Sequence, residues 1–487
     1  MKRYFVSAAA LSLAICTTAL AAAKPVSVHS NEFVYTAMKD HAVTYLDRYD
    51  ILKAGINTYS VLWGDSLISL NEEGKYVPWL AEQMEWNDDK TSVTMHIRKN
   101  VKFQDGTDLT ARDVKATYDR FIDNDKLENN KWKGKLIGTD LIDEYTVILK
   151  LSSPMSSFES ECAQTPIVPE WAVSEDMKEF FMKPVGSGPY KLVEFDPETA
   201  DMKFEKNEDW WGLKEGQTTY VDTIRQVGID NEDQGVGLLK NGQVQHITLD
   251  NASQGLVNAV KASGYTVDTY NKSKHIYIAF NFNDNSIWND KNLREAFSLC
   301  MDRSKLCQET GDAVVAEWPC QRTDPGYLDS NGYEYNLEKA KKLVEESEYD
   351  GSPIYVKLAD KKTWNTLVKC AKEAGFNLKE MQEDGKYDLV YDQKSDRAVE
   401  LFHVYGNDEL KIGYDNDVFQ ELLTKAEQET DVEKQEKLRE QIYTYMYDNF
   451  APSIPLFDKV GKNAYVTNLD GMTESDTFND YRFVHYN

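Results

Sequence analysis

The sequence lacks the motifs that mark the common enzyme active sites. Its 487 residues contain no H-E-x-x-H, which would hold zinc between two histidines, and no G-x-x-x-x-G-K-[ST], which would cradle phosphate. No C-x-x-C pair occurs, so zinc-ribbon and thioredoxin-like chemistry have no support. Gly235 and Gly237 lack the third glycine of a dinucleotide fingerprint, and the G-S-G-P run at 186–189 fits a structural turn better than a nucleophile elbow. The sequence therefore predicts neither a catalytic centre nor a cofactor.

Positive charge is also scarce. Lys and Arg number 55 against 82 Asp and Glu, which gives a formal net charge of −27. Such a chain is a poor binder of nucleic acid or of an anionic membrane surface, because both require cationic groups against phosphate. The hydrophobic content of 41% excludes a disordered chain, and the length predicts about three domains.

Long apolar runs are absent beyond the first residues. The run at 6–20 follows Lys2 and Arg3, is too short to span a bilayer, and precedes small residues that a signal peptidase could read. We expect residues 1–23 to be a cleaved export signal and the remaining chain to be periplasmic. A lipid anchor at Cys16 is the alternative, which the bulky Ile15 before it disfavours.

Cysteines are few, and five follow the predicted signal. The spacing does not determine which of them would pair in an oxidising compartment. A Cys307–Cys320 bridge would close a short loop and is the preferred pairing. The other three are Cys162, Cys300 and Cys370.

Alternating hydrophobicity and capping residues predict a mixed α/β chain of several lobes. Strands are expected at 92–98, at 147–151, at 275–282 and near 454–457, and a strand–helix–strand unit at about 224–250. Thr110 with Asp113 and Thr430 with Glu433 are predicted capping boxes at helix starts. One helix is expected over 292–306.

Aromatic residues are the main candidates for ligand contacts. Ten Trp and 28 Tyr are present, and four of them stand near glycines, turns or lobe borders: Trp63, Trp132, Trp318 and Tyr277. Histidines give a weaker signal, because none of the seven pairs with another at helical or hairpin spacing. Those that remain weak candidates for metal ligands are His29, His41, His403 and His485.

Several ordered motifs resemble one family. P-W-L-A-E at 78–82, followed by I-R-K-N-V-K-F-Q-D-G-T-D-L-T-A-R-D-V at 97–114, is similar to the signature of family 5 extracellular solute-binding proteins. These are the substrate-capturing subunits of ABC importers for peptides and nickel. Further matches follow in the family's order: V-G-S-G-P-Y at 185–190, W-W-G at 210–212, L-R-E-A at 293–296, M-D-R at 301–303 and I-P-L-F at 454–457.

The resemblance implies a two-lobed periplasmic binding protein fold, class II-like, with hinge strands and an extra small domain. The implied boundaries are lobe I at 24–62, 180–275 and 455–487, the extra subdomain at 63–179, and lobe II at 276–454. The crossings between lobes would fall near 275–280 and 454–457. A ligand that contacts both lobes would close them.

The resemblance also implies the function and the site. We expect a monomer that is not an enzyme and needs no cofactor or nucleic acid. It would capture short peptides or similar small solutes between its lobes and deliver them unchanged to the permease of an ABC transporter. A nickel or metal-chelate binder is the alternative, and an exported hydrolase a remote one. The implied ligand contacts are Trp63, Tyr277, Asp392, Arg397 and Phe457. Asp392 is the nearest counterpart of the acidic residue with which peptide binders of the family pair the ligand's amino terminus.

Overall fold

The computed structural model describes most of the chain. The described ranges are 31–41, 43–49, 56–71, 76–155, 157–174, 177–250, 252–283, 286–320, 326–328, 332–359, 361–381, 385–394, 410–429, 431–472 and 480–487. The predicted export signal, including Cys16, lies outside them.

Strands and helices alternate along these ranges, which agrees with the predicted α/β class. The strands are β1 (Glu32–Met38), β2 (Ile68–Leu70), β3 (Tyr76–Pro78), β4 (Ala81–Trp86), β5 (Ser92–Ile97), β6 (Leu136–Asp143), β7 (Thr146–Leu151), β8 (Tyr190–Asp196), β9 (Asp201–Lys206), β10 (Thr223–Ile229), β11 (His246–Thr248), β12 (Thr266–Phe280), β13 (Ala313–Val315), β14 (Ile354–Leu358), β15 (Leu378–Glu380), β16 (Leu389–Lys394), β17 (Ser453–Tyr465), β18 (Leu469–Asp470) and β19 (His485–Tyr486). The α-helices are α1 (Ile56–Trp63), α2 (Ala111–Asp119), α3 (Phe158–Ala163), α4 (Lys178–Met182), α5 (Trp211–Lys214), α6 (Glu232–Lys240), α7 (Gln254–Ala262), α8 (Lys291–Cys300), α9 (Arg303–Thr310), α10 (Leu337–Glu345), α11 (Trp364–Glu373), α12 (Asp417–Gln428) and α13 (Val432–Asn449). Short 3-10 turns occur at Lys39–His41, Glu170–Ala172 and Ile287–Asn289.

A single mixed sheet of 11 strands runs through the molecule in the order β15-β14-β16-β12-β17-β11-β1-β10-β9-β8, with β13 also paired to β17. The strands at one end, β1 and β8–β11, form the sheet of what we call the first lobe. Those at the other end, β13–β16, belong to the second lobe, together with α8–α13. The long strands β12 and β17 are common to both.

The first lobe packs apolar side chains of its sheet against α1, α6 and α7. Its core includes Phe33, Ile224 and Ile247 from the strands and Leu239 and Val260 from the helices, all buried. The predicted strand–helix–strand unit at 224–250 is confirmed as β10, α6 and β11.

A second sheet of four strands, in the order β4-β5-β7-β6, forms with α2 what we call the small unit. Val93, Met95 and Ile97 alternate inward along β5, as predicted, because side chains of a strand point to opposite faces in turn. The capping box at the start of α2 is confirmed, since the Asp113 carboxylate accepts from Thr110 N–H and the Thr110 hydroxyl accepts from Asp113 N–H. The small unit therefore has a core separate from that of the first lobe.

The second lobe has a core on each face of its sheet. Ile276, Ile278 and Phe280 of β12 pack on one face against α8 and α11, whereas Tyr277 and Ala279 pack on the other face against α12 and α13. This alternation is the period of two expected of a strand that is buried on both sides.

The helix predicted over 292–306 is wrong in one respect, because it is broken into α8 and α9. The first helix ends at Cys300 with Met301 as its C-cap, and Asp302 caps the second helix by accepting from Lys305 N–H. The buried Arg303 side chain donates to carbonyls of Ser298 and Pro455, which fixes the break against β17. Burial lowers the pKa of Arg303 to about 10.

Two further expectations change with the structure. The cap of α13 is Asp431, which accepts from Lys434 N–H, while Thr430 lies outside the described residues. The predicted Cys307–Cys320 bridge is wrong, because both cysteines are free thiols. Cys320 is buried in the core around α12 and α13, whereas Cys307 lies on α9 beside the opposite face of the sheet. Within the described ranges, no helix is long and apolar enough to cross a membrane.

Candidate functional site

Strands β12 and β17 carry the chain between the two lobes. The first part of β12, from Thr266, pairs with β17 up to Tyr465 beside the first lobe. The later part, from His275 to Ala279, pairs with β17 and with β16 inside the second lobe. Between these parts the pairing register shifts, from Asn271 to His275. A register shift of this kind interrupts the ladder of hydrogen bonds and bends the strand. The bend lies where the strands cross between the lobes.

Just beyond the shift, β12 presents a polar and aromatic cluster. His275 Nδ1 lies 2.6 Å from Oδ1 of Asp458 on β17, and both side chains are buried. The His275 ring stacks on Tyr277, with 6.4 Å between ring centroids. Tyr277 pairs in register with Asp392 on β16 and with Pro455 on β17. A half-buried carboxylate beside aromatic rings suits the cationic or polar end of a small solute.

Trp318 belongs to the same core as Tyr277. Its ring packs against Tyr447 with 4.6 Å between centroids. Its indole N–H is buried and has no hydrogen-bond partner among the residues that the structure describes. The buried indole N–H groups of Trp63, Trp132 and Trp288 also have no partner among the described residues, so this feature does not by itself identify Trp318 as a ligand contact.

Ion pairs lie along the crossing on the sides of both lobes. Lys459 Nζ lies 2.9 Å from Oδ1 of Asp312, and Lys362 Nζ lies 3.7 Å from the same oxygen. Burial opposes ionisation of Asp312, but the hydrogen bond from Lys459 and the positive charges nearby outweigh it and lower the pKa. A second pair, Lys272 with Asp250, is 2.9 Å apart. These pairs hold the two crossing strands to the segments that flank them.

Trp63, one of the sequence-predicted contacts, lies in the core of the first lobe with no exposed surface. Its ring contacts Phe181, and its carbonyl accepts from Gly188 N–H at 3.0 Å. A Cβ at Gly186 would lie 2.1 Å from the Trp63 carbonyl oxygen, so only glycine permits this approach. The V-G-S-G-P-Y turn therefore packs on the backbone of Trp63.

Phe457 is buried as well, and it lies on the opposite face of the sheet from Tyr277. It pairs in register with Ile276, whose side chain points away from that of Tyr277. Of the predicted set, the structure thus brings Tyr277 and Asp392 together, and it separates Trp63 and Phe457 from them.

The remaining candidates are only partly described. Arg397, His29 and His403 lie outside the described residues, as does the side chain of His41. His485 lies in the first lobe, where its ring packs on Tyr220 with 4.7 Å between centroids. Among the described residues, no group of three or more His, Cys, Asp or Glu is arranged to hold a metal ion.

Two contacts between ionisable side chains were not predicted from the sequence. His275 and Asp458 are 183 residues apart, and Lys135 of the small unit and Glu427 of the second lobe are 292 apart. The position of His275 at the start of a predicted strand was a signal for the first pair. Nothing local to Lys135 or Glu427 indicates the second, because an acidic protein has many alternative partners for each.

With this geometry in place, sequence comparison defines the class of protein. Residues 75–390 match the profile of the bacterial extracellular solute-binding proteins, family 5, middle part. The chain belongs to this family, whose members are binding proteins, and the resemblance drawn from the motifs is confirmed.

Individual relatives share part of their length with the chain. It is 29% identical to the oligopeptide-binding protein AppA of Bacillus subtilis over 55% of this chain and 50% of the relative. It is 26% identical to the glutathione-binding protein GsiB of Pectobacterium atrosepticum over 63% of this chain and 59% of the relative. The matched parts thus span about half the length of these relatives.

Structure comparison extends the likeness over nearly the whole chain. HbpA2 from Haemophilus parasuis superposes with a TM-score of 0.82 and 18% identity, over 94% of this chain and 100% of that one. At this identity the likeness concerns the fold. The predicted α/β fold of a two-lobed periplasmic binding protein is confirmed.

Proposed function

We propose that this protein is the substrate-binding subunit of an ABC importer. It captures short peptides or similar small solutes between its lobes and passes them, chemically unchanged, to a membrane permease. It acts as an exported monomer, with residues 1–23 removed, and catalyses no reaction.

One observation carries this proposal. The two lobes have separate hydrophobic cores and are joined through β12 and β17. The pairing of these strands shifts register where they pass from one lobe to the other. Two bodies joined in this way can close on a ligand that contacts both, and the ligand's differential affinity for the closed form sets the extent of closure. Family membership and relatives named for binding oligopeptides and glutathione support the class of solute.

The proposed division of the chain follows the predicted boundaries. Lobe I comprises 24–62, 180–275 and 455–487, the extra subdomain 63–179, and lobe II 276–454. The separate cores of the first lobe, the small unit and the second lobe support this division.

Within the cleft we assign the principal contacts to Tyr277 and Asp392. Both lie on one face of the sheet immediately beyond the crossing, where a ligand between the lobes would touch the second lobe. The Asp392 carboxylate would pair with an ammonium group, and Tyr277 would pack against the adjacent part of the solute. Trp63 and Phe457 would support the cleft from their own cores, and Arg397 remains a predicted contact.

The proposal is tested by measuring which solutes stabilise the purified protein. Mass spectrometry of co-purifying molecules supplies candidates, and a panel of di- to pentapeptides, glutathione and a nickel–histidine complex completes the set. Since a ligand that binds only the folded state at 100 times Kd adds about 2.7 kcal/mol to the free energy of unfolding, a clear rise in Tm is expected.

Variants make the test specific to the site. Asp392→Asn should weaken the binding of a solute with a free amino terminus at least tenfold, whereas Glu436→Gln, an exposed acid on α13, should leave it unchanged. Stabilisation by the nickel complex alone would favour the metal-chelate alternative. If neither the extracted molecules nor the panel raised Tm, the peptide assignment would be wrong.

A further inference from the structure

An ion pair joins the small unit to the second lobe away from the crossing strands. Lys135 Nζ lies 3.3 Å from Oε1 of Glu427, across 292 residues of sequence. The Glu427 side chain is only 15% exposed and that of Lys135 is 33% exposed. The contact is therefore partly shielded from water, unlike most pairs on the surface.

Lys135 is held on a rigid part of the small unit. Its carbonyl accepts from Ser152 N–H at 2.8 Å, and its own N–H donates to the carbonyl of Trp132 at 3.0 Å. Trp132 is fully buried in the core of that unit. The ammonium group thus projects from a fixed backbone position.

Glu427 is held in a similar way on the second lobe. It lies in the last turn of α12, whose Phe419 and Leu423 are buried beside Tyr277. A carboxylate at this end of a helix faces the negative end of the helix dipole, so an external cation is needed to stabilise it. Lys135 supplies that cation from the opposite side of the cleft.

The acidic net charge of the protein opposes close approach of the lobes, so an attractive pair between them matters more. The protein carries a formal charge of −27, so approach of the lobes brings like charges together. Neighbouring lysines of the small unit pair within it, as Lys133 does with Asp125 at 2.5 Å and Lys150 with Asp140 at 2.5 Å. Lys135 instead reaches across to the second lobe.

We propose that Lys135 and Glu427 form an interlobe latch, which biases the lobes toward their closed arrangement before a ligand arrives. This inference rests on the proposed closure of the lobes, but it concerns the ligand-free protein. Since each partner sits on its own rigid core, the pair can form only when the small unit and the second lobe are close. Breaking it should lower the closed-to-open ratio by about 1.4- to five-fold, the range that corresponds to the energies measured for exposed pairs.

Charge reversals test the latch in the ligand-free, full-length mature protein. Lys135→Glu and Glu427→Lys should each raise the radius of gyration measured by small-angle X-ray scattering at low salt. The double swap, Lys135→Glu with Glu427→Lys, should return it to the wild-type value. High salt should remove the difference between wild type and single variants.

Matched controls separate the latch from a general charge effect. Lys133→Glu breaks a pair inside the small unit, and Glu421→Lys breaks an i,i+4 pair on α12 itself, with Lys425. Neither should change the radius of gyration. Equal expansion in the controls, or failure of the double swap to restore the wild-type value, would overturn the proposal.

A second measurement reads the contact directly. A carbodiimide activates a carboxylate and joins it to a touching amine as an amide, while the reagent is converted to a urea. Mass spectrometry of the digested protein should detect a peptide linking Lys135 to Glu427, and the linked fraction should fall in high salt. Absence of this link while Lys425–Glu421 links form would contradict the latch. Neither readout needs a ligand, so failure of the proposed transport function would leave the result unaffected.

Discussion

At the scale of single residues, the junction between the first lobe and the small unit depends on Asp65. Its carboxylate accepts hydrogen bonds from the indole N–H groups of Trp79 at 2.7 Å, Trp211 at 2.8 Å and Trp210 at 3.3 Å. The hydroxyl of Ser187 also donates to it, at 3.1 Å. Burial raises the pKa of Asp65, and these hydrogen bonds oppose that rise. One acidic side chain thus accepts from four donors, three of which belong to buried residues.

Replacing the Asp65 carboxylate should lower the free energy of unfolding. In Asp65→Asn one oxygen becomes an NH₂ group, which cannot accept from the indoles, so at least one buried donor loses its partner. We expect the free energy of unfolding to fall by about 1–3 kcal/mol, measured by urea denaturation. Asp209→Asn, an exposed acid close by in sequence, is the control and should change it by less than about 0.5 kcal/mol. Equal stability of the two variants would show that the network adds nothing.

Residue-scale roles were only partly accessible from the sequence. Asp65 lies two residues after Trp63, but its three tryptophan partners come from two other segments, at 79 and at 210–211. Trp63 was expected in the cleft because the family resemblance implies a ligand contact there, and the structure surrounds it with core instead. Hydrophobic pattern alone does not distinguish an aromatic side chain lining a cleft from one filling a core.

At the scale of elements, the crossing strands and the charges around them determine how the lobes are joined. β17 pairs with β12, β11 and β13 along its length, so it is buried almost throughout. Lys459 lies on it with a largely buried side chain, so it requires an acidic partner near the crossing. Asp312, at the end of the loop after α9, provides one.

The lowered pKa of Asp312 predicts how the free energy of unfolding changes at acidic pH. Because the folded protein favours its ionised form, Asp312 adds stability above the unfolded pKa of about 3.9, and this stability is lost as pH falls through the lower folded value. The difference in unfolding free energy between wild type and Asp312→Asn should be constant above about pH 5 and should shrink toward pH 3.

Denaturant titrations at several pH values check this. Asp209→Asn serves as the control, and its curve should run parallel to that of the wild type. A gap between wild type and Asp312→Asn that stays the same from pH 6 to pH 3 would argue against a stabilising role of the ionised carboxylate.

At the scale of the whole molecule, stability comes from several apolar cores and not from covalent links between cysteines. All five described cysteines are free thiols, and four of them are buried: Cys162, Cys300, Cys320 and Cys370. Cys307 is partly exposed, and burial raises its pKa to about 11. The thiolate is the reactive form, so Cys307 should react slowly at neutral pH and the others only after unfolding.

This arrangement gives a direct prediction for the mature protein. Tm should be the same with and without a reductant, and a thiol reagent should count five thiols in denaturant. In the native state one slow phase is expected, which Cys307→Ser removes and Cys320→Ser leaves in place. A loss of Tm on reduction, or a count of three thiols, would indicate a disulfide.

The sequence by itself determined the local elements and the family. The strand at Ser92–Ile97, the cap of α2 and the unit formed by β10, α6 and β11 follow from short-range periodicity and hydrogen bonding, which act within a few residues. The ordered motifs likewise predicted the two-lobed fold.

Only the tertiary structure decided what depends on distant partners. The break between α8 and α9, the separation of Phe457 from Tyr277, and the pair of Lys135 with Glu427 all arise where segments far apart in the chain meet. Each is set by sheet register and by the packing of one core against another. A register change of one residue reverses the face of every side chain on a strand, and the register of β12 depends on its pairing with β17, which lies far away in the sequence.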